Sequence, residues 1–457
     1  MRSGSFGLRP LAAWLIGSVL LAACGASLEP PPSPSAAPGS IEPVSHSPSP
    51  APAIGSVEPA PGSDSAVYAP NPGAIVVAID PGHGGCLDWG VPDPSQRGAE
   101  LSEKAMTLGI GRLLRDRLEA DGVGVVMIRD ADEALAGDHH PELGCEGPPW
   151  RDVNGDGEAG FDPEGATRTR DELQARLDLA NLSQADAFVS IHINSPFEGG
   201  QTVEIAFSET FYTDETPWGD LTAVLAGAVQ DGVVRELGSV ATYERADRGI
   251  TAHNFYLVAP PLFEPTAERP DPLKQPTRGA LMPTVLAEVG SITLRAEHDL
   301  LASSDGQEAV AAGLFDGLVE FFAQRDRAVR IGLEGEPGFR PPAAVDGDGP
   351  PFWAAVVGDD RVRLRVTNTG QAAIPAGARL VAGWAASTEP YLRDAPPELP
   401  AVSRRLPALE PGEAIAVDVQ LAPPSGERAL AWISLESESA RFDRLGSPAL
   451  QIATQAP

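Results

Sequence analysis

Two histidines follow apolar strand patterns in this chain, each at the point where the pattern stops. Segment 77–85, VAIDPGHGG, ends in a Gly/Pro turn that presents His83, and segment 187–194, AFVSIHIN, presents His192. One glutamate accompanies each histidine, Glu103 and Glu288. Imidazole and carboxylate groups at the carboxyl edge of a parallel sheet are the groups that α/β enzymes use to hold catalytic zinc. The spacing therefore predicts a metal site that performs hydrolysis.

A catalytic zinc takes three protein ligands and keeps a fourth position open for water. His83, His192 and one carboxylate satisfy this count. Glu103 opens a predicted helix directly after the His83 loop, where the helix dipole favours a carboxylate, and it is the predicted third ligand. Glu100 is the alternative. Glu288 ends a later strand at the same sheet edge and is the predicted general base.

Strand and helix patterns alternate from residue 73 to residue 325, which predicts one α/β domain with a doubly wound, mostly parallel sheet and helices on both faces. One predicted helix lies between Ser102, as its N-cap, and Gly122, as its stop. The other predicted helices are 170–182, 221–237 and 307–322. The predicted strands are 75–79, 123–128, 187–194, 203–207, 254–258 and 284–289.

The pattern changes after this domain to short alternating strands separated by Gly, Pro, Asn and Asp. It predicts an all-β immunoglobulin-like sandwich over residues 331–457, with strands at 352–357, 362–367, 378–384, 414–421 and 429–435. No group of catalytic residues is evident in these strands. Glycan binding, partner binding and simple spacing all remain open as roles for this domain.

The amino terminus reads as a secretory signal, with a short apolar run from residue 11 to residue 23 after basic residues. Its end, LAAC at 21–24, resembles a bacterial lipobox, which implies cleavage before Cys24 and a lipid on the Cys24 sulfur. An uncleaved anchor helix is the alternative. Residues 25–72 are rich in Pro, Ser and Ala and are expected to be a disordered tether. Either interpretation predicts an extracytoplasmic, membrane-attached protein.

Composition limits the partners. The 457 residues predict two or three domains, and the formal charge of −31 disfavours nucleic acid as a partner. Acidity does not by itself name a substrate. A monomer is expected, although the sequence does not decide the oligomeric state.

Four segments together resemble a known family: IDPGHGG at 79–85, LSEK at 101–104, VSIHIN at 189–194 and LAEVG at 286–290. They are similar, in order and approximate spacing, to the zinc-dependent N-acetylmuramoyl-L-alanine amidases that cut bacterial peptidoglycan. The resemblance implies that His83, Glu103 and His192 bind Zn²⁺ and that Glu288 is the catalytic glutamate. It also implies that the bond cleaved joins the lactyl group of N-acetylmuramic acid to L-alanine of the stem peptide.

The residues themselves suggest the same reaction. Zinc lowers the pKa of a bound water to about 7, and Glu288 would accept its proton and pass it to the leaving amine. Asn194 and Arg248 are candidate substrate contacts, and for Arg248 the alternative is a solvated surface side chain. Two other functions remain open: a catalytically silent wall-binding protein, and a zinc peptidase that cuts within the stem peptide.

Residues 130–166 form a Gly-, Pro- and Asp-rich insertion with three further candidates. Cys145 is expected to pair with Cys86 in an oxidising compartment, with two free thiols or zinc ligation by Cys86 as alternatives. Asp152, Asn154 and Asp156 match the first half of an EF-hand loop, which suggests either Ca²⁺ or an Asp/Gly turn. His139 and Glu142 have an H-x-x-E spacing, but a surface loop is the preferred interpretation.

Overall fold

The structure is a computed structural model that describes eleven stretches of the chain. They are residues 75–91, 98–160, 170–198, 200–261, 278–334, 350–357, 361–397, 399, 402–422, 428–437 and 440–454. The predicted signal, Cys24 and the predicted tether lie outside the described residues. All described residues belong to one compact unit, Pro59–Pro457. Within them, no helix combines the length and the apolar content that a membrane span requires.

The first part of the described chain alternates strands and helices as predicted. Its helices are α1 Glu103–Ala120, α2 Arg170–Leu182, α3 Gly219–Val240, α4 Arg295–Leu301 and α5 Ser304–Ala323. Its strands are β1 Val76–Pro81, β2 Gly124–Met127, β3 His139–His140, β4 Cys145–Glu146, β5 Ala187–Asn194, β6 Phe197–Glu198, β7 Gln201–Thr202, β8 Phe207–Tyr212, β9 Ala246–Ala252 and β10 Thr284–Ser291.

Six of these strands form one mixed sheet in the order β2-β1-β5-β10-β8-β9. Strands β2, β1, β5 and β10 are parallel to one another. Strand β8 pairs antiparallel with β10, and β9 pairs parallel with β8. The carboxyl ends of β1, β5 and β10 therefore meet at one edge of the sheet, where ligand sites of such sheets form.

Helices cover both faces of the sheet. On one face, apolar side chains of β1, β5 and β10 pack against α1, α3 and α5, and α1 contributes Met106, Ile110, Leu114 and Leu118 at helical spacing. On the other face, α2 packs against Val76, Ala78 and Phe188. Strands β1 and β10 are buried along their whole length, as strands covered on both faces are, and β1 begins with the apolar run VVAI.

Two predicted strands are wrong. The strand expected at 203–207 begins only at Phe207 and continues to Tyr212. The segment expected to be a strand at 254–258 contains a 3-10 helix, Tyr256–Val258, and the actual strand is β9, Ala246–Ala252. Strand β9 lies at the sheet edge and is largely exposed, so its sequence lacks the apolar alternation on which the prediction depended.

The last part of the described chain contains strands only, apart from one 3-10 turn. These are β11 Val329–Leu333, β12 Ala355–Val356, β13 Arg361–Asn368, β14 Arg379–Ala386, β15 Val402–Arg405, β16 Ala414–Gln420, β17 Ala429–Ser437, β18 Ala440–Arg441 and β19 Leu450–Ala453. One sheet has the order β11-β13-β16, and the second has the order β12-β19-β17-β14-β15 with β18 beside β17. Both contribute to one apolar cluster, with Leu364 and Val366 from the first sheet and Leu380 and Ile433 from the second. The immunoglobulin-like topology stays a prediction.

Buried polar contacts join this all-β region to α2 and to the sheet edge. The Tyr391 hydroxyl donates to Asp178 at 2.8 Å and accepts from the Asn181 amide at 2.7 Å. Arg325, 2% exposed, donates to the Gly446 carbonyl at 2.7 Å and to Asp186 at 3.2 Å. The all-β region thus packs on α2 and on the amino edge of the main sheet, where Asp186 precedes β5.

Candidate metal centre and catalytic site

The structure brings His83, Glu103 and His192 together at the carboxyl edge of the sheet. One potential ligand atom from each of the three lies within 4.8 Å of the others. His83 comes from the turn after β1, Glu103 from the first residue of α1, and His192 from β5. Among the described residues, no other group of three His, Cys, Asp or Glu side chains converges in this way.

Glu103 is held from both sides. Its Oε1 accepts from the Ile193 backbone N–H at 2.9 Å and lies 3.2 Å from both His83 Nε2 and His192 Nδ1. Its Oε2 accepts from the Val91 backbone N–H at 2.9 Å. Burial raises the pKa of Glu103, but the charges and hydrogen bonds of the His83 and His192 imidazoles outweigh it and hold this pKa well below its usual range. The carboxylate is therefore ionised and fixed, as a metal ligand must be.

The His83 ring is oriented by Asp88. His83 Nδ1 lies 2.8 Å from Asp88 Oδ1, so Nε2 is the nitrogen that faces Glu103 and His192. A carboxylate on the far nitrogen of a ligating histidine fixes its orientation and raises its basicity. Burial opposes the protonated ring, but the charges of Asp88 and Glu103 outweigh it and raise the pKa of His83 well above its usual value.

The His83 backbone has a left-handed conformation, with φ at 63°, which costs a non-glycine residue about 1–2 kcal/mol. Its carbonyl accepts from Arg176 Nη2 at 2.8 Å. Arg176 is 1% exposed and pairs with Asp80 at 2.6 Å and with Glu172 at 2.8 Å. The strained turn is thus held by a charged side chain of α2.

The donor set fits a zinc ion. Two imidazoles and one carboxylate are the ligands of a known class of catalytic zinc site. Glu288 Oε2 is buried with no hydrogen-bond partner, as expected of a group that faces an ion or its water. The Gly82 backbone lies directly against the His192 imidazole, and a Cβ at this position would lie 2.5 Å from His192 Cε1. Only glycine lets the backbone approach the imidazole so closely.

Glu288 lies beside His192 on the adjacent strand. The two residues are register partners in the parallel β5–β10 pair, and Glu288 is also opposite Glu209 of β8. Glu288 is 9% exposed. Burial, and then the negative charge of Glu103, raise the pKa of Glu288 well above its usual value. This carboxyl group therefore keeps a proton to a higher pH than an ordinary glutamate.

Two substrate contacts were predicted near this edge. Asn194 ends β5, half-buried, and its carbonyl accepts from the Ile292 N–H at 2.9 Å. Arg248 lies on β9 with its guanidinium 3.7 Å above the Phe207 ring and 4.0 Å from Glu209. The Arg248 side chain is one-third exposed. Both therefore stay candidates, with Arg248 two strands away from Glu288.

Cys86 and Cys145 are joined by a disulfide with a Cα–Cα distance of 5.8 Å. Cys145 lies in the small β3–β4 hairpin of the insertion, and Cys86 follows the His83 turn by three residues. The Cys86 sulfur is thus used in this bond rather than in the metal group. The disulfide ties the insertion to the loop that carries a ligand.

The remaining candidates do not join the metal group. Glu100 is exposed in the 3-10 turn Ala99–Leu101. His139 and Glu142 are exposed in the insertion, and His139 Nδ1 lies 3.3 Å from the Gly147 carbonyl. The preferred interpretation of a surface loop agrees with these positions.

The predicted calcium loop has its carboxylates bonded to its own backbone. Asp152 accepts from the N–H groups of Gly155 at 2.8 Å and Gly157 at 2.9 Å, and Asn154 accepts from Asp156 N–H at 3.0 Å. Asp156 also lies 3.2 Å from Arg170. Residues 161–169, which would complete such a loop, lie outside the described part of the chain. Calcium binding stays a prediction.

Two functional residues were missed from the sequence. Asp88 orients His83 from the loop that follows it, and Arg129 donates to backbone carbonyls beneath the site. Burial, and then the positive charge of Arg176, lower the pKa of Arg129 to about 10, so it stays charged at neutral pH. The sequence signal for Arg129 is its position just after the apolar strand β2, where burial is expected. A buried arginine needs polar partners, so this position could have marked it as a candidate.

Comparison with known proteins identifies the family. The family model described as N-acetylmuramoyl-L-alanine amidase matches residues 77–320. The germination-specific N-acetylmuramoyl-L-alanine amidase of Bacillus subtilis is 26% identical over 251 residues, which are 55% of this chain and 81% of that protein. The sporulation-specific N-acetylmuramoyl-L-alanine amidase of the same organism is 26% identical over 250 residues, 54% of this chain and 68% of that protein.

A solved structure is also similar, the N-acetylmuramoyl-L-alanine amidase of Clostridium difficile 630. It is 24% identical, with 55% of this chain and 98% of that chain covered and a TM-score of 0.36. The family match by itself covers more than half of the chain and includes all four residues of the site. The chain belongs to the N-acetylmuramoyl-L-alanine amidase family.

Proposed function

We propose that this protein hydrolyses the amide bond between N-acetylmuramic acid and L-alanine in peptidoglycan, with a zinc ion held by His83, Glu103 and His192. The observation that carries the proposal is the convergence of these three side chains beside an unpartnered Glu288 carboxylate oxygen, in a chain of this family. Zinc would lower the pKa of a bound water and polarise the scissile carbonyl.

Other side chains and backbone groups position the proposed ligands, and Glu288 transfers the protons. Asp88 holds His83 with Nε2 toward the site, and two backbone N–H groups hold the Glu103 carboxylate. Glu288 is the general base at its Oε2 and then the general acid toward the leaving nitrogen. Burial, and then the charge of Glu103, raise its pKa in the metal-free protein, which favours a carboxyl group that can carry a proton to the leaving amine. Arg248 and Asn194 are proposed to contact the stem peptide.

We further propose that the rest of the chain attaches the enzyme to the cell envelope. We propose a signal at 1–24, a lipid on Cys24, a tether at 25–72, a catalytic domain at 73–325 and an accessory domain at 331–457. Two features support extracytoplasmic action: peptidoglycan is the substrate of the family, and the Cys86–Cys145 disulfide suits an oxidising compartment. Replacing Cys24 by serine should release the protein from the membrane fraction. Unchanged partitioning in that variant would favour an uncleaved helix.

Ligand substitution tests the metal assignment directly. His192→Ala should lose stoichiometric zinc and wall hydrolysis, because two ligands rarely retain the ion. His139→Ala is the matched control, since His139 is an exposed histidine outside the metal group, and it should keep both. Zinc content measured by mass spectrometry on each purified variant decides the matter. A full zinc complement in His192→Ala would refute its assignment as a ligand.

A further inference from the structure

We propose that Arg129 is a positioning residue that sets the spacing of all three metal ligands from beneath the site. The inference rests on the proposed function, since it concerns the same zinc site. Arg129 follows β2 after one residue and is 1% exposed. Its guanidinium lies between the turn that carries His83 and the first turn of the helix that carries Glu103.

On the His83 side, Arg129 binds the two carbonyls that precede the ligand. Its Nε donates to the Pro81 carbonyl at 2.8 Å, and its Nη2 donates to the Gly82 carbonyl at 3.0 Å. These are the last carbonyls before the left-handed His83. Arg129 therefore fixes the direction in which the turn leaves β1 together with Arg176, which donates to the Pro81 carbonyl at 3.1 Å.

On the Glu103 side, the same Nη2 donates to the Lys104 carbonyl at 2.6 Å. Lys104 directly follows the ligand in the first turn of α1. The Thr107 hydroxyl, one turn along the helix, donates to the Gly82 carbonyl at 2.9 Å and lies 3.3 Å from Arg129 Nη2. The His83 turn and the Glu103 helix are thus joined through one guanidinium and one shared carbonyl.

His192 is reached through Gly82. The imidazole of His192 packs on this residue so closely that a Cβ would lie 2.5 Å from Cε1 and 2.6 Å from Nε2. Any shift of the Gly82 peptide therefore moves both the His83 turn and the backbone surface against which the His192 imidazole packs. Arg129 therefore acts on His83 and Glu103 through the carbonyls of the residues next to them, and on His192 through the contact between Gly82 and the imidazole.

Lysine should not replace this arrangement. Arg129 also donates from Nη1 to the Ala131 carbonyl at 3.0 Å, so all three of its nitrogens are used in fixed directions. An arginine presents these donors in a rigid plane, whereas a lysine ammonium is a single flexible point. Arg129→Lys keeps the positive charge and removes the planar arrangement of donors, and this arrangement is the property under test.

Arg325 provides a matched control. It is 2% exposed and, like Arg129, donates to backbone carbonyls, here those of Asp186 and Gly446. Asp186 precedes His192 by six residues, about 20 Å along an extended strand. Arg325→Lys should therefore lower the melting temperature as Arg129→Lys does, without disturbing the ligands.

The experiment measures zinc affinity of the full-length protein by competition with a chromophoric chelator, together with thermal unfolding. Arg129→Lys should weaken zinc binding by about 10- to 100-fold. Arg325→Lys should stay within about twofold of the unsubstituted protein. If Arg129→Lys does not fold, Thr107→Val removes the hydroxyl that bonds the Gly82 carbonyl and contacts Lys104 and Arg129, and it should weaken zinc binding by about two- to tenfold.

Unsubstituted zinc affinity in Arg129→Lys, or in Thr107→Val where that variant is the one measured, would overturn the inference alone. An equal loss in Arg325→Lys would also overturn it, because general destabilisation would then explain the effect. Failure of the unsubstituted protein to bind zinc would overturn the proposed function as well, so the two failures are distinguishable.

Discussion

Glu288→Gln separates catalysis from structure at this site. The amide has nearly the shape of the carboxyl group but cannot act as a base. General acid–base catalysis contributes about 10²–10⁴-fold in rate, so kcat should fall by that factor, about 3–5 kcal/mol in activation free energy. The three ligands are untouched, so zinc content should stay at the unsubstituted level.

Although kcat should fall in Glu288→Gln, the thermal stability of this variant should increase above neutral pH. The pKa of Glu288 is raised in the fold, so its contribution to stability is present below its usual pKa of about 4.3 and is lost as pH rises through the raised value. Glutamine does not titrate. The metal-free Glu288→Gln protein should therefore melt at the same temperature as the unsubstituted protein in acid, and at a higher temperature above neutral pH.

The assay is release of stem peptide from purified cell wall, with zinc content and melting curves measured on the same preparation. Asp443→Asn is the matched control, a buried carboxylate of the all-β region that accepts from Ser434 at 2.7 Å. It should lose stability and keep its turnover number. Retained turnover in Glu288→Gln would move the general base to another residue, and loss of zinc there would refute a purely catalytic role.

Three further outcomes are expected. Zinc affinity should increase as pH rises toward the raised pKa of His83, because Zn²⁺ displaces the His83 proton. Calorimetry in two buffers should detect the released proton. A pH-independent affinity would contradict the assignment of His83 as a ligand. Replacing Cys86 and Cys145 by serine should lower the free energy of unfolding by about 4 kcal/mol, because the disulfide closes a loop with a sequence separation of 59. An unchanged urea midpoint would show that the disulfide does not stabilise the fold. Tyr391→Phe removes the hydroxyl that joins the all-β region to Asp178 and Asn181, and should cost about 1–3 kcal/mol in urea unfolding; a cost below about 0.5 kcal/mol would mean that the contact is not stabilising.

The site was largely predictable because its residues follow strong local signals. His83 and His192 end buried strands with long apolar runs, and Glu103 opens a helix with apolar residues at regular spacing. Parallel strands bring such positions to one sheet edge. Their convergence, with ligand atoms within 4.8 Å, follows from these elements.

The errors have equally local causes. Strand β9 is an exposed edge strand, ADRGITA, that pairs on one side only, so no apolar alternation marks it. The antiparallel direction of β8 depends on its partner β10 rather than on its own composition. Asp88 and Arg129 act through contacts with His83 and with the carbonyls of Pro81 and Gly82, and the spacing of residues in a sequence does not reveal such contacts.

Mass spectrometry of a wall digest tests the central claim most directly. The zinc-loaded protein should release intact stem peptides with a free L-alanine amino terminus and leave glycan strands with free lactyl carboxylates. Chelator should abolish this release, and added zinc should restore it. Shortened peptides or free amino acids with the lactyl–alanine bond intact would contradict the proposed bond specificity. Undiminished release from metal-free protein would contradict the account of His83, Glu103 and His192 as a catalytic zinc site.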